Sequence, residues 1–291
     1  MKPAPFAYCR PRSLTDAVAA LAGDPGAKVL AGGQSLVPLL SMRLAAPSTL
    51  VDINALPGLD AITVDESGVT IAALARHAEV LASADVRRVQ PLVSLALSHV
   101  AHATIRNRGT TVGSIVHADA AAEMPMVLTL LGGSVAVAST KGRRTIPASE
   151  LYAGPLESTL HHDEIAVEAF FPALAPGEGV GFEEISRRQG DYALVGVGAV
   201  MRVEGDTVVS ARAGYLSAAE VPTTVDLTAM LDGVVSTSST AAAGDLALEH
   251  LDPVDDLHAT AAYRGQLVRV LTARVLRAAY QDAQARTAAV A

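Results

Sequence analysis

The sequence predicts an α+β fold of two domains, and three observations support that prediction. Apolar residues recur at helical spacing in several segments of the chain. Alternating apolar runs around turn residues predict β-hairpins at 61–74 and 134–148. Proline and glycine cluster at 172–181, where the composition shifts. We therefore expect a first domain over residues 1–175 and a second over residues 176–291, which are ordinary domain sizes.

The composition of the 291 residues narrows the class of protein. Half of the residues are hydrophobic and only 3% are aromatic, so Ala, Val and Leu must build the core. A net charge of −8 argues against a general nucleic-acid binder and an electrostatic membrane anchor. The single cysteine, Cys9, excludes an intrachain disulfide, a Cys-x-x-Cys zinc site and a four-cysteine iron–sulfur cluster. With no signal-peptide pattern and no long apolar run, we expect a soluble, cytoplasmic protein without a membrane span.

Helices and strands alternate through the first domain. Ser13 and Asp16 predict the start of a helix that ends at Gly23. Pro91 is expected to break a later helical stretch into pieces. The remaining predicted elements are strands at 28–30, 49–53 and 163–171 and helical segments at 37–44, 77–100 and 123–131.

The second domain is predicted to hold a three-stranded antiparallel sheet followed by helices. Apolar runs within 181–216 and a turn at 204–206 indicate a meander of three strands. The small, polar stretch 236–244 predicts a loop or the start of a helix. The tail 258–287 is predicted to be helical, with one apolar stripe formed by Tyr263, Leu267, Leu271 and Val275.

Two segments rich in glycine and hydroxyl groups each precede an apolar helix. Residues 31–36 read AGGQSL, and a second loop is predicted over 104–119. Backbone N–H groups at such turns can hold phosphate, and together the two loops could hold both ends of a dinucleotide. Taken alone, the first segment is explained equally well as an ordinary strand–helix turn. Neither segment has the pattern of a Walker A loop, a nucleophile elbow or a Rossmann site.

Longer stretches around these loops resemble one known family. AGGQSLVPLLSMRLAAPSTLVDIN (31–54) and TIRNRGTTVGSIVHADAAAEMP (104–125) are similar to the FAD-binding medium subunit of molybdenum hydroxylases, the family of xanthine dehydrogenase and aerobic carbon monoxide dehydrogenase. Residues 187–200 and 263–276 resemble its C-terminal domain. The resemblance covers nearly the whole chain. It implies a two-subdomain FAD-binding domain of the vanillyl-alcohol-oxidase type, followed by the small domain.

The resemblance also implies which residues bind FAD. The first loop would contact the FAD diphosphate, and the second would form another phosphate and flavin loop. Asp119 and Glu123 would bind ribityl or other hydroxyls. Tyr192 would stack on the isoalloxazine ring or gate it, whereas His117 would either contact the flavin region or cap its loop. The implied cofactor-binding residues are Ala31, Gly32, Gly33, Gln34, Ser35, Leu36, Thr110, Thr111, Gly113, Ser114, His117, Asp119, Glu123, Asp191 and Tyr192.

Two residues depart from the family pattern in the second loop. Val112 stands where the family usually has the first of two paired glycines, and Ala120 stands where a proline is common. If that glycine allows close backbone approach, Val112 should crowd the loop. The two changes put the local loop shape in question.

The resemblance implies an oxidoreductase subunit. A large molybdopterin subunit would oxidise the substrate, a small subunit with two [2Fe-2S] clusters would relay electrons, and FAD on this chain would pass them to NAD, a quinone or oxygen. A dimer of heterotrimers is the assembly expected. One alternative is a self-sufficient FAD-dependent oxidoreductase, whose acid or base would come from Asp191, Glu183, Glu184 or Tyr215. Another is a non-catalytic nucleotide-binding scaffold.

Histidines offer a weaker signal for a metal site. His99 and His102 have a spacing that metal sites use, but no acidic ligand lies nearby in the sequence. We expect both to be ordinary helix-surface or core residues. We expect His161 and His162 to lie in a solvated turn before a strand.

Overall fold

The computed structural model of the chain describes residues 2–231, 233 and 235–290. The first subdomain contains β1 (Ala7–Cys9), α1 (Leu14–Gly23), β2 (Lys28–Leu30), α2 (Leu36–Met42) and β3 (Thr49–Asp52). Its three strands form a parallel sheet in the order β1-β3-β2. Ser13 caps α1 as predicted, because its side chain accepts a hydrogen bond from the Asp16 backbone N–H at 3.1 Å. The carboxyl ends of β2 and β3 therefore lie side by side, at the start of the first loop.

An antiparallel sheet forms the second subdomain. Its strands are β4 (Ile62–Val64), β5 (Gly68–Ala72), β6 (Ser134–Ser139), β7 (Gly142–Pro147) and, after a small ribbon of β8 (Tyr152–Gly154) and β9 (Glu157–Ser158), β10 (Ile165–Pro172). The order is β4-β5-β10-β6-β7. Both predicted hairpins are present, and the predicted strand near 163–171 lies between them.

Six helices of this subdomain cover the sheet and carry the second loop. They are α3 (His77–Ala82), α4 (Ala84–Val89), α5 (Pro91–His99), α6 (Ala103–Arg106), α7 (Thr111–His117) and α8 (Glu123–Leu130). Pro91 starts α5, as proline at a first helical position does. The prediction of a loop over 104–119 was wrong, because α6 and α7 occupy most of it. Its glycines and hydroxyl residues suggested a loop, whereas Thr110 acts as the N-cap of a helix.

The C-terminal part forms β11 (Glu178–Ser186), β12 (Ala193–Glu204), β13 (Thr207–Leu216), β14 (Thr223–Asp226), α9 (Thr237–Glu249) and α10 (Ala261–Val290). The predicted three-stranded meander is present, and β14 extends it to four antiparallel strands. The strand β14 was not predicted, because it is only four residues long. Tyr263 was wrongly placed on the apolar stripe of α10. Its side chain is 47% exposed, whereas Leu267, Leu271 and Val275 are buried.

The C-terminal sheet is covered on both faces. One face packs against α9 and α10. The other face joins the core of the second subdomain, where Met126 of α8 lies against Gly198 and Gly214. A Cβ atom at Gly214 would lie 2.6 Å from the Met126 sulfur, so a larger residue there would force the Met126 side chain to shift. Within the described residues, no helix combines the length and the apolar character needed to cross a membrane.

Candidate functional site

The two glycine-rich segments touch each other. Gly32 is buried, and a Cβ atom on it would lie 2.8 Å from the Cα of Gly109 and closer still to the carbonyl oxygen of Arg108. A side chain at residue 32 would therefore push the segments apart. Gly33 follows with φ of +71°, a left-handed conformation that favours glycine. The sequence thus requires glycine at the point where the two segments meet.

A cleft of about 680 Å³ opens beside this contact. Four residues of the first segment line it, whereas Ser35 and Leu36 do not. Three arginines, Arg10, Arg76 and Arg108, make its wall cationic. A cationic wall suits an anionic ligand. The lining residues are Arg10, Leu30, Ala31, Gly32, Gly33, Gln34, Val37, Asp52, Asn54, Arg76, Asn107 and Arg108.

Side chains of the first segment are only partly directed at the cleft. The Gln34 side-chain amide donates a hydrogen bond to the Gly32 carbonyl at 3.1 Å, so it supports the turn of its own loop. Ser35 precedes α2 but makes no side-chain capping hydrogen bond to it. Leu36 is half-buried as the first residue of α2. The backbone of Ala31, Gly32 and Gly33 is therefore the main surface that this segment presents.

Asn54 and Arg76 belong to the site but were missed by the sequence analysis. The Asn54 amide nitrogen donates to the carbonyl of Ala31 at 2.8 Å. The guanidinium of Arg76 donates to the Asn54 side-chain oxygen at 2.8 Å and to the Arg108 carbonyl at 2.6 Å. These two side chains therefore bridge the first and second segments. The position of Asn54 two residues after the end of the parallel strand β3 was the one available signal.

Asp52 supports this bridge by accepting hydrogen bonds from Asn54. It is 8% exposed and accepts hydrogen bonds from the Asn54 side chain, at 2.6 Å, and from the Tyr8 hydroxyl. Although burial opposes ionisation, these hydrogen bonds hold the pKa of Asp52 below its usual value. Asp52 is therefore a charged acceptor that fixes the orientation of the Asn54 amide.

The hydroxyls of the second segment are used to build it. Thr110 accepts a hydrogen bond from the Gly113 N–H at 3.2 Å, and the Thr111 hydroxyl lies 3.2 Å from Nδ1 of His77. Both threonines are buried. Burial, with a smaller effect of the Arg106 charge, lowers the pKa of His77 to about 4, so its ring is neutral at neutral pH. His77 was not predicted as a site residue, and its backbone N–H also donates to the Gly109 carbonyl at 3.0 Å.

Val112, the first departure from the family pattern, does not line the cleft. Its side chain is 1% exposed and packs in the core of the second subdomain. It therefore turns away from the cleft. Ala120, the second departure, uses its carbonyl to accept a hydrogen bond from the Ser217 N–H at 2.9 Å. That bond ties the end of the segment to the C-terminal sheet.

A second group of predicted residues gathers where α8 faces the start of β12. Burial, together with the negative charges of Glu184 and Asp119, raises the pKa of Glu123 to about 8. Burial also raises the pKa of Tyr192, and the charges of Asp119, Glu123 and Asp191 add to the effect. The Tyr192 side chain is nonetheless 62% exposed, so a planar ligand can reach it. The structure thus brings Asp119, Glu123 and Tyr192 close enough for their charges to affect one another's pKa.

The neighbours of these residues define their orientation. Asp191 accepts a hydrogen bond from Arg187 at 2.9 Å and one from the Tyr192 N–H at 3.1 Å, which fixes the approach to β12. Burial lowers the pKa of His117, while Asp119 raises it and Lys28 lowers it. The charges of Asp119, from the second group, and of Lys28, from β2, therefore both act on the His117 ring. Gly113 and Ser114 are half-buried in α7.

The remaining candidate residues have partners of their own. Glu183 pairs with Arg274 at 2.7 Å, and the buried Tyr215 hydroxyl lies 3.0 Å from that of Thr272. His99 lies 3.5 Å from Glu184, against the ring of Phe182 rather than in a metal site. Across the described residues, no three His, Cys, Asp or Glu side chains gather as metal ligands would. His161 and His162 are exposed, as expected.

Comparison with known proteins gives matches along nearly the whole chain. Residues 4–174 match the family model of the FAD binding domain in molybdopterin dehydrogenase, and residues 181–279 match the CO dehydrogenase flavoprotein C-terminal domain. The alpha subunit of the 6-hydroxypseudooxynicotine dehydrogenase complex of Paenarthrobacter nicotinovorans is 40% identical, over 98% of this chain and 97% of its own length.

Two further relatives are similar over their full length. The carbon monoxide dehydrogenase medium chain of Hydrogenophaga pseudoflava is 34% identical, over 96% of this chain and 99% of its own. The solved structure of quinoline 2-oxidoreductase from Pseudomonas putida 86 contains a chain with a TM-score of 0.92 and 36% identity, covering 99% of this chain and all of that one.

Proposed function

Because this chain belongs to the family of FAD-binding medium subunits of molybdenum hydroxylases, we propose that it carries electrons from an iron–sulfur subunit to an external acceptor. The chain is an oxidoreductase flavoprotein subunit of a multi-subunit complex. In the proposed assembly a large molybdopterin subunit oxidises the substrate, and a small subunit with two [2Fe-2S] clusters delivers the electrons. Two such heterotrimers form the complete complex.

One observation carries this proposal: the two glycine-rich segments meet at Gly32 beside a cleft lined by three arginines. Backbone amides and guanidinium groups are donors that suit a diphosphate, so the residues present fit FAD. When bound, FAD supplies the exchange between one-electron and two-electron carriers. Ala31, Gly32 and Gly33 offer their backbone to the diphosphate, while Thr110 and Thr111 keep the facing segment in shape.

The second group of residues is proposed to serve the flavin end of the site. Tyr192 would stack on the isoalloxazine ring or gate it, since its side chain is exposed. Glu123 holds a proton at neutral pH because burial and neighbouring carboxylates raise its pKa. Asp119 and the protonated Glu123 would then offer their carboxyl groups to ligand hydroxyls. His117, Gly113 and Ser114 complete this wall from α7.

The alternative of a self-sufficient oxidoreductase finds less support in the structure. Of its four candidate acids and bases, Asp191, Glu183 and Tyr215 are engaged in hydrogen bonds or ion pairs within the protein. Glu184 lies beside His99. A non-catalytic scaffold would need the nucleotide cleft alone, and the clustering of Asp119, Glu123 and Tyr192 favours a site with a flavin end.

The test begins with an absorption spectrum of the purified chain, with and without added FAD. We expect flavin bands that dithionite bleaches, and FAD in the released cofactor. The chain alone and the chain co-expressed with its partner subunits are then assayed with a dye acceptor on carbon monoxide, an aldehyde, a purine and a pyridine-type heterocycle. Turnover by the chain alone would contradict the subunit proposal, and a colourless chain that refuses FAD even in the complex would support the scaffold.

A further inference from the structure

We propose that Asn54 and Arg76 act together as a clamp that holds the two FAD loops in contact before FAD binds. Neither residue was implied by the family resemblance as a cofactor ligand. The inference rests on the proposed function, since it assigns to this pair the preorganisation of the FAD site.

Arg76 reaches both sides of the contact at once. One guanidinium nitrogen donates to the Arg108 carbonyl in the second segment, and the other donates to the Asn54 side-chain oxygen. The backbone of the same residue forms a β-bridge with Thr110. Arg76 is therefore fixed to the second segment by its main chain, and its side chain extends from there towards the first.

Asn54 completes the connection to the first segment. Its amide nitrogen donates to the Leu30 carbonyl at 3.3 Å and to the Ala31 carbonyl at 2.8 Å, just before Gly32. Its backbone N–H and side chain both donate to Asp52, which fixes the amide with its oxygen towards Arg76. A continuous path of hydrogen bonds therefore runs from Ala31 to Arg108.

This path encloses the contact at Gly32. Glycine removes the steric obstacle between the segments but supplies no side chain to hold them together. The Arg108 carbonyl, which lies against Gly32, is the same atom that Arg76 binds. Without the clamp, FAD would have to order the two segments as it binds, and its affinity would fall by the cost of that ordering.

The clamp makes a different prediction from a simple charge contact. If Arg76 only attracted phosphate, replacing the uncharged Asn54 would leave FAD affinity unchanged. If the two residues act as one unit, either substitution breaks the same path. The double variant should then be no worse than the worse single variant.

The experiment is a double-mutant cycle on the full chain, kept with any subunits that co-purify and freed of FAD. FAD dissociation constants are measured by titration for wild type, Asn54→Ala, Arg76→Ala and the double variant. We expect each single variant to bind FAD about 10- to 100-fold more weakly, since hydrogen bonds to charged groups have that effect. Arg76→Lys should fail to restore affinity, because an ammonium group cannot reproduce the two-pronged guanidinium geometry.

Arg88→Ala is the matched control. Arg88 lies on α4 in an exposed ion pair with Asp85, and its loss removes the same charge without touching the cleft. Urea unfolding of each FAD-free variant separates a general folding defect from a binding defect. The clamp predicts a large change in FAD affinity and a small change in the urea midpoint.

The outcomes separate the two claims. Multiplicative losses in the double variant, full affinity in Asn54→Ala, or rescue by Arg76→Lys would each overturn the clamp while leaving the proposed function in place. Losses of FAD affinity that only parallel the decrease in the urea midpoint would also overturn the clamp. A wild-type protein that binds no FAD in any form would overturn the proposed function, and the clamp with it.

Discussion

Acidification should destabilise this protein through one buried histidine, His77. The ring is 4% exposed, and its Nδ1 lies 3.2 Å from the Thr111 hydroxyl. Burial and the nearby Arg106 charge lower its pKa from 6.5 to about 4. The unfolded chain therefore takes up this proton at a higher pH than the folded chain does. The stability that neutral His77 provides is present above about pH 6.5 and is lost as the pH falls towards 4.

The size of the loss follows from the two pKa values. Relative to pH 7.5, the free energy of unfolding falls by about 2 kcal/mol at pH 5. It falls by about 3 kcal/mol once the pH is below 4. The second segment should respond first, because the titrating His77 ring contacts the Thr111 hydroxyl of that segment. Loss of bound FAD is therefore expected at a pH where much of the fold persists.

Urea unfolding of the FAD-free chain at pH 7.5 and pH 5 measures this effect. His77→Asn removes the titrating ring and keeps a polar group near the Thr111 hydroxyl, and His162→Asn removes an exposed histidine as the control. Wild type and His162→Asn should each lose about 2 kcal/mol more than His77→Asn between the two pH values. An equal loss in all three proteins would refute the assignment of acid sensitivity to His77.

Three further predictions concern single positions. Gly32→Ala should weaken FAD binding at least tenfold in a titration because its Cβ would strike the facing loop, whereas Gly23→Ala, with open space around it, should bind normally; unchanged affinity in Gly32→Ala would contradict the loop contact. Val112→Gly should lower the free energy of unfolding by about 2–4 kcal/mol in urea without tightening FAD binding, and tighter binding would revive the crowding idea. Glu123 has a pKa raised to about 8, so the stability it provides in its protonated form should be lost as the pH rises through 8. Melting temperatures of Glu123→Gln should fall less than those of wild type between pH 6 and pH 9, and parallel profiles would count against the buried proton.

Local sequence chemistry predicted the elements that local interactions determine. Ser13 caps α1, and Asp65 and Gly68 form the first hairpin turn, because the residues involved lie within a few positions of each other. The two glycine-rich segments were predicted to hold the two ends of one ligand. Their direct contact with each other was not predicted. The roles that depended on the family resemblance, such as those of Asp119 and Tyr192 towards FAD, stay predictions.

Long-range contacts account for most of what the sequence did not reveal. Asn54 and Arg76 are 22 residues apart, and nothing near either residue shows that they meet. His77 carries no motif, and its importance comes from burial beside Thr111. The helices α6 and α7 were missed because glycine and threonine are common in loops, while Thr110 here caps a helix whose Val112 and Ile115 enter the core. The burial of the Val112 side chain in the core was likewise not evident from the sequence.

The close approach of Met126 to Gly198 and Gly214 limits how freely parts of this chain can be exchanged with a relative. Helix α8, before residue 175, packs in one core with β12 and β13, which follow it. The boundary near residue 175 therefore does not divide the hydrophobic core. A chimera that took its C-terminal half from another family member would need small residues at both glycine positions, or a smaller side chain at residue 126. The exchange of C-terminal halves between relatives therefore depends on a residue at 126 that fits the residues at 198 and 214.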